Sequence, residues 1–205
     1  MRLRTFAFII ASLMAATSAS GQDLFIGARV GTDWSSSTQT PALTGVNYAS
    51  HLGFVGGLQV DGWFDDMWAI SVQALYDQKG FKITSPITAN DVYTYIEIPV
   101  LLKVGIGSSA AKFYMEAGPS LGLKLSAKTE RNSVVDINST LTSSDLSLFV
   151  GGGIQYRLSP DVFFVTDIGY AFGLSDINSD HTIVPHVTNT LSNIRFGLGV
   201  IFPLF

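Results

Sequence analysis

The chain has 205 residues, is 47% hydrophobic and only 14% charged, and carries a net charge of −4 with a mean hydropathy of +0.34. An ordinary soluble domain carries roughly 25% charged residues, and a nucleic-acid binder shows a basic excess; neither profile matches. Cysteine is absent, which excludes disulfides, thiolate metal sites and lipoprotein anchoring.

The first 20 residues read as a secretory signal peptide. Arg2 and Arg4 form a charged start, Phe6 to Ala16 an apolar run, and Ser18-Ala19-Ser20 a small-residue cleavage region before Gly21. The apolar run is too short to span a bilayer. Its removal takes two positive charges and moves the net charge from −4 to −6. Residues 21–205 then form one domain. No later run reaches the ~18 apolar residues of a transmembrane helix. High hydropathy without such a helix leaves a closed β-barrel as the spanning structure, since only helices and barrels satisfy their backbone groups in lipid.

Eight segments alternate apolar with small or charged residues at period two, the mark of a strand with two unlike faces. The first, about 23–34, carries Leu24, Ile26, Ala28, Val30 and Trp34 against Phe25, Gly27, Arg29, Gly31 and Asp33. The second, 52–64, sets Leu52, Phe54, Leu58, Val60 and Phe64 against Gly57, Gln59 and Asp61. The third, 68–79, sets Trp68, Ile70, Val72, Ala74 and Tyr76 against Ser71, Gln73, Asp77 and Lys79. The fourth, 93–106, sets Ile96, Ile98, Val100, Leu102, Val104 and Ile106 against Tyr95, Glu97, Leu101 and Lys103. The fifth, 112–125, sets Phe113, Met115, Ala117, Leu121 and Leu123 against Tyr114, Glu116, Ser120 and Lys124. The sixth, 145–157, sets Leu146, Leu148, Val150, Ile154 and Tyr156 against Ser147, Gly151, Gln155 and Arg157. The seventh, 162–173, sets Val162, Phe164, Ile168, Tyr170 and Phe172 against Asp167, Gly169 and Ala171. The eighth, 191–205, sets Ile194, Phe196, Leu198, Val200, Phe202 and Leu204 against Asn193, Arg195, Gly197 and Gly199.

The charged face holds six basic residues (Arg29, Lys79, Lys103, Lys124, Arg157, Arg195) and six acidic ones (Asp33, Asp61, Asp77, Glu97, Glu116, Asp167). An eight-stranded barrel has an interior that side chains fill, so these charges are expected to pair inside it while the apolar face meets lipid. A short turn at Gly107–Ala111 predicts Lys103 opposite Glu116. Connections alternate between short (Asp65–Met67, Gly107–Ala111, Leu158–Asp161) and long (35–51, 80–92, 126–144, 174–190). That is the outer-membrane pattern, with short periplasmic turns, long surface loops and both termini periplasmic. Trp34, Phe64, Trp68, Tyr93, Phe113, Tyr156 and Phe172 near strand ends read as interfacial girdles. The terminal Phe205 suits recognition by the barrel-assembly machinery, although its parity is inward and Pro203 cannot donate to the ladder.

The blocks Gln73-Ala74-Leu75-Tyr76-Asp77-Gln78-Lys79-Gly80, Tyr95-Ile96-Glu97-Ile98-Pro99-Val100-Leu101-Leu102-Lys103 and Tyr114-Met115-Glu116-Ala117-Gly118-Pro119-Ser120-Leu121-Gly122 stand in that order. Gly151 to Tyr156 and Tyr170 to Ile177 continue them. Together they resemble the porin-family, PorT-like outer-membrane β-barrel domain of Bacteroidetes over about 23–205. The resemblance implies a small monomeric outer-membrane barrel and leaves the biochemical role open, since fold does not fix function. One relative in that family takes part in protein secretion. This chain departs from the family pattern at Gln73, where glutamate is usual, and at Gly169, where arginine is frequent, so an identical ion-pair network is not implied.

Catalytic chemistry finds little footing. His51 with the serines at 35–37 is the one candidate nucleophile–base neighbourhood, and it lacks a fixed Ser/His/carboxylate spacing. His181 and His186 with Asp176 and Asp180 lack a metal-ligand template. Asp61 and Asp77 read as ion-pair members rather than an acid/base couple. Gly151–Gly153 precedes no helix, so it is no phosphate loop. The Asn138-Ser139-Thr140 sequon carries no weight.

The sequence therefore predicts an all-β, eight-stranded antiparallel up-and-down transmembrane barrel in the outer membrane of a Gram-negative bacterium. Its lumen is plugged and charged, and its role is structural or surface-interacting. No catalytic, cofactor or metal residue is assigned. Expected partners are outer-membrane lipid, the barrel-assembly machinery during biogenesis, and a surface ligand or secretion complex, with no nucleic acid. An accessory role in envelope secretion, a small pore and a lipid-modifying enzyme remain open, as does a soluble lipocalin-like barrel for the fold.

Overall fold

The computed structural model describes residues 23–41, 45, 47–85, 88–130, 134–137, 141–178 and 188–204. The segment of residues 1–20 expected to be a signal peptide, His181, His186, Asp180, the 138–140 sequon and Phe205 lie outside these. The strands are β1 (Asp23–Thr40), β2 (Asn47–Trp63), β3 (Trp68–Ser85), β4 (Ala89–Gly107), β5 (Ala111–Glu130), β6 (Val134–Asp136), β7 (Ser144–Ser159), β8 (Val162–Gly173) and β9 (Thr188–Pro203). Eight of them close in the order β4-β3-β2-β1-β9-β8-β7-β5, with β5 pairing back onto β4. Every pairing is antiparallel, and β1 closes against β9 from Phe25↔Pro203 to Thr40↔Thr188. The short β6 lies outside the ring, on Lys128–Glu130 of β5. Past Pro203 the ladder resumes, with Leu204 N donating to Leu24 O at 2.7 Å.

The predicted faces hold through the middle of the barrel. Ile26, Val30, Trp34, Leu58, Val100, Met115, Ile168 and Phe196 are exposed on the outside. On β1 this band runs nine residues, Ile26 to Trp34, the length of a tilted transmembrane strand of about 9–11 residues. Trp34, Phe64, Trp68, Phe113, Tyr156 and Phe172 are exposed at its borders, as a girdle requires. Tyr93 is a correction: it is 2% exposed and packs inside the barrel.

The strands outrun the band. Much of the predicted loops 35–51, 80–92 and 126–144 is strand, so β1 to β5 rise well beyond the apolar border at the long-loop end. Two irregularities accompany that rise. Between β4 and β5 the register passes from Thr94↔Ser126 to Tyr95↔Lys124, leaving Leu125 as an extra residue on β5. Such a bulge reverses strand parity: Leu125 is exposed, yet Ala127 is fully buried and Lys128 exposed. Period-two alternation breaks there, which is why the sequence reading ends this strand at 125. Between β2 and β3 the pairing jumps from Ser50↔Phe81 to Val55↔Asp77.

At the short-turn end the connections are capped locally. Asp65 accepts backbone hydrogen bonds from Met67 N and Trp68 N, both at 2.7 Å. These donors, Trp68 first, hold its carboxyl below the ordinary value of 3.8. Gly107, at φ +144°, starts the next turn in a conformation that side chains resist.

Candidate functional site

The lumen is the most elaborated region of the molecule, and chain order along β3 and β4 sets its levels. At the short-turn end Phe25, Trp63, Ala69, Phe163, Val165 and Ile201 form an apolar cluster, with Phe25 and Phe163 edge-to-face at 5.2 Å. Lys112 lays its Nζ 3.9 Å from the centre of the Trp63 ring and covers this cluster.

A first charged layer follows. Arg29 Nη2 holds both oxygens of Asp167 at 2.5 Å. Lys103 Nζ lies 3.0 Å from Asp61 and 3.5 Å from Glu116, and Lys103 and Glu116 are register partners as the turn length predicts. Gln59 donates to Asp61 at 3.0 Å. Gly197 permits the Arg29–Asp167 pair: a Cβ there would stand 2.4 Å from Arg29 Nη2.

The second layer centres on Arg195, whose Nη2 meets Glu97 at 2.5 Å and Asp77 at 2.9 Å. Lys79 Nζ reaches the same Glu97 oxygen at 3.1 Å and Asp77 at 3.7 Å. Ser120 donates to Glu97 at 2.7 Å, and Asn193 Nδ2 donates to Asp33. Burying these charges is costly unless they pair, and each charged side chain of the two layers is 5% exposed or less. On β4, Leu101 stands between Glu97 and Lys103 and packs with Phe149 and Ala171.

Gly169 and Gln73 both take their places at this level. Phe149 fills the space over Gly169, where a Cβ would sit 2.3 Å from its ring. Arg195, the register partner of Gly169, lies 5.4 Å over the Phe149 ring. Gln73 is buried and donates to Ser71; glutamate there would add a carboxyl to a lumen already rich in them.

Above the second layer the lumen turns apolar. Phe81, Tyr93, Tyr95, Ala127, Leu141, Ile177 and Leu191 form the outer cluster. Ile177, beyond the end of β8, is fully buried in it. Ile177 N donates to Asn189 O at 2.9 Å, and Thr142 N donates to Ile177 O at 2.8 Å. Ser175 donates to Asp145 at 2.6 Å and pins the same stretch to β7.

A closed ring with an apolar coat and a filled polar lumen is the build of an outer-membrane protein. The family model described as outer membrane protein beta-barrel domain matches residues 16–179. The chain belongs to that family. No curated protein matches it. Among solved structures it is similar to Neisserial surface protein A, at 15% identity over 89% of this chain and 98% of that one, with a TM-score of 0.56. It is also similar to the outer membrane protein OprG from Pseudomonas aeruginosa, at 14% identity over 90% and 97% of the two chains, with a TM-score of 0.60. The exposed stripe of this outer-membrane barrel is therefore its lipid surface, in a Gram-negative envelope.

The residues singled out in the sequence fall into place unevenly. Of the predicted six against six, four cations and all six carboxyls are buried in the lumen. Arg157 is exposed at the short-turn end, 5.0 Å over the Phe163 ring. Lys124 is half-buried and donates to Leu141 O at 2.7 Å. Arg157 lies where β7 leaves the lumen at the short turn, and Lys124 lies at the β5 bulge, where the register shifts against β4. Asp145, read only as the start of a strand, is buried next to Ser175.

The serines and the histidine make contacts within the barrel wall and with one another's strands. Ser35 is fully buried and its Oγ accepts from Gly80 N at 2.8 Å, supplying the acceptor that the β2–β3 irregularity removes. Its contact with His51 is to the carbonyl, at 3.5 Å, not the ring. The His51 ring instead meets Asn90 Oδ1 at 3.1 Å. Ser37 pairs with Asn189. Asp176, the described member of the His181/His186 group, accepts from Asn178 N and Asn189 N.

Proposed function

We propose that this protein is a non-catalytic membrane anchor that displays its outer rim for structural or surface-interaction purposes, with short turns and termini in the periplasm. The observation that carries this reading is the filled lumen: apolar clusters at both ends and two ion-paired layers between them. Eight strands enclose a space that side chains fill, and here large ones do so at every level. What varies in chemistry above the membrane is the rim of β1 to β6, where Lys82, Lys128 and Glu130 are exposed. The test is electrical. In planar bilayers the refolded protein is expected to give no stable unitary conductance; discrete, long-lived channels would overturn the plugged reading.

The PorT-like sequence blocks from Gln73 to Gly122 favour one second reading, an accessory role in envelope secretion. In-cell crosslinking separates the two. Recovery of the barrel in a defined secretion complex supports the accessory role, and recovery as a clean monomer supports the anchor.

A further inference from the structure

The first charged layer is one positive charge short. It sets three carboxyls, Asp61, Glu116 and Asp167, against two cations, Arg29 and Lys103, all 5% exposed or less. Each of the two cations makes its closest contact with another carboxyl. Arg29 spends Nη2 on both oxygens of Asp167, and Lys103 donates to Asp61. Glu116 remains, 3.5 Å from Lys103 Nζ, and neither of its oxygens accepts a hydrogen bond from a described residue. Among the described residues the surrounding strands hold no further cation at this level. β1 brings Arg29, β2 Gln59 and Asp61, β3 Ser71, β4 Lys103, β5 Tyr114, β7 Gly151, β8 Asp167 and β9 Gly197. An uncompensated charge is expensive in a lumen walled off by lipid and stoppered at both ends.

We infer that Glu116 is a binding site for one unit of positive charge, a proton or a monovalent cation, which completes this layer. The bound charge joins β5 to the Arg29–Asp167 and Lys103–Asp61 pairs and neutralises the lower lumen.

The chain has three glutamates, Glu97, Glu116 and Glu130, so carboxyl ¹³C labelling of glutamate yields three resonances from the full-length barrel in lipid. Spectra are taken near neutral pH with potassium, sodium or a bulky tetraalkylammonium as the sole monovalent cation. A bound proton is expected to hold one resonance at the neutral-acid position in every buffer. A bound metal ion is expected to leave three carboxylate resonances, one of which moves when tetraalkylammonium replaces potassium or sodium. In either case that resonance disappears in Glu116→Gln. Three carboxylate resonances indifferent to the cation would overturn the inference, as would a responsive resonance that survives in Glu116→Gln. Should the variant fail to refold, sequential assignment of the three resonances in the unmodified barrel makes the same decision.

Discussion

The barrel turns inside out along its own axis. In the membrane band the outside is apolar and the lumen holds Arg29, Lys79, Lys103, Arg195 and six carboxyls. Beyond the band Thr38, Thr40, Lys82 and Lys128 face outward, and the inside is Phe81, Tyr93, Leu141 and Ile177. The same strands build both halves, so backbone geometry is not the cause. Each half hides from its solvent what that solvent dissolves poorly. Lipid leaves charge no refuge but the lumen, and water drives apolar side chains into it. The bulge at Leu125 lies where the exchange occurs, because a strand keeping one parity would carry Ala127 and its neighbours to the wrong sides.

The contrast breaks most severely at the cation shared by the second layer. Arg195→Ala leaves Asp77 and Glu97 without their closest donor. It is expected to cost about 3–5 kcal/mol, as for other buried pairs deprived of one partner, measured by urea unfolding in lipid vesicles. A paired substitution sharpens the comparison between halves. Val100→Arg, on the lipid face near mid-band, is expected to cost about 2–4 kcal/mol. Thr38→Arg, outward on β1 beyond the band, should change stability by no more than about 0.5 kcal/mol. Equal effects in the same assay would mean that the band border is misplaced. Ser35→Ala tests the junction itself: it strips Gly80 N of its acceptor and is expected to cost about 1–3 kcal/mol, with faster amide exchange at Gly80.

The smallest effect lies in the short turns. Asp65 is held below its ordinary value by the Trp68 and Met67 amides. A lowered carboxyl contributes stability above the unfolded-state value and loses it as pH falls through the folded-state value. Acidification below about 4 should therefore weaken the unmodified barrel slightly more than Asp65→Ala. Urea midpoints across that range read the difference.

Legibility in the sequence followed periodicity. Within the band, alternation located eight strands, and Lys103 met Glu116 as the length of one turn required. Where an extra residue breaks the alternation, as at Leu125, the sequence reading stopped and read loop, although β5 continues to Glu130. By sequence Tyr93 suits a girdle as well as a core, because aromatic residues suit both, and only packing distinguishes them. Ser35 is by sequence a hydroxyl near a histidine, but its role depends on an irregularity in the β2–β3 pairing that no local pattern announces.

The sequence by itself determined that these strands have one face for lipid and one for a polar interior, because period-two chemistry states which side each residue occupies. It also determined that charges in a space of this size must pair. Only the tertiary structure decided which charges share that space. Strand length places Arg157 at the short-turn end and the β5 bulge takes Lys124 out of the charged layers, which leaves four cations to hold the six predicted carboxyls. It alone decided that Ile177, from beyond the last residue of β8, closes the outer lumen. These contacts join residues far apart in the chain, and their positions follow from how eight strands are staggered around the ring.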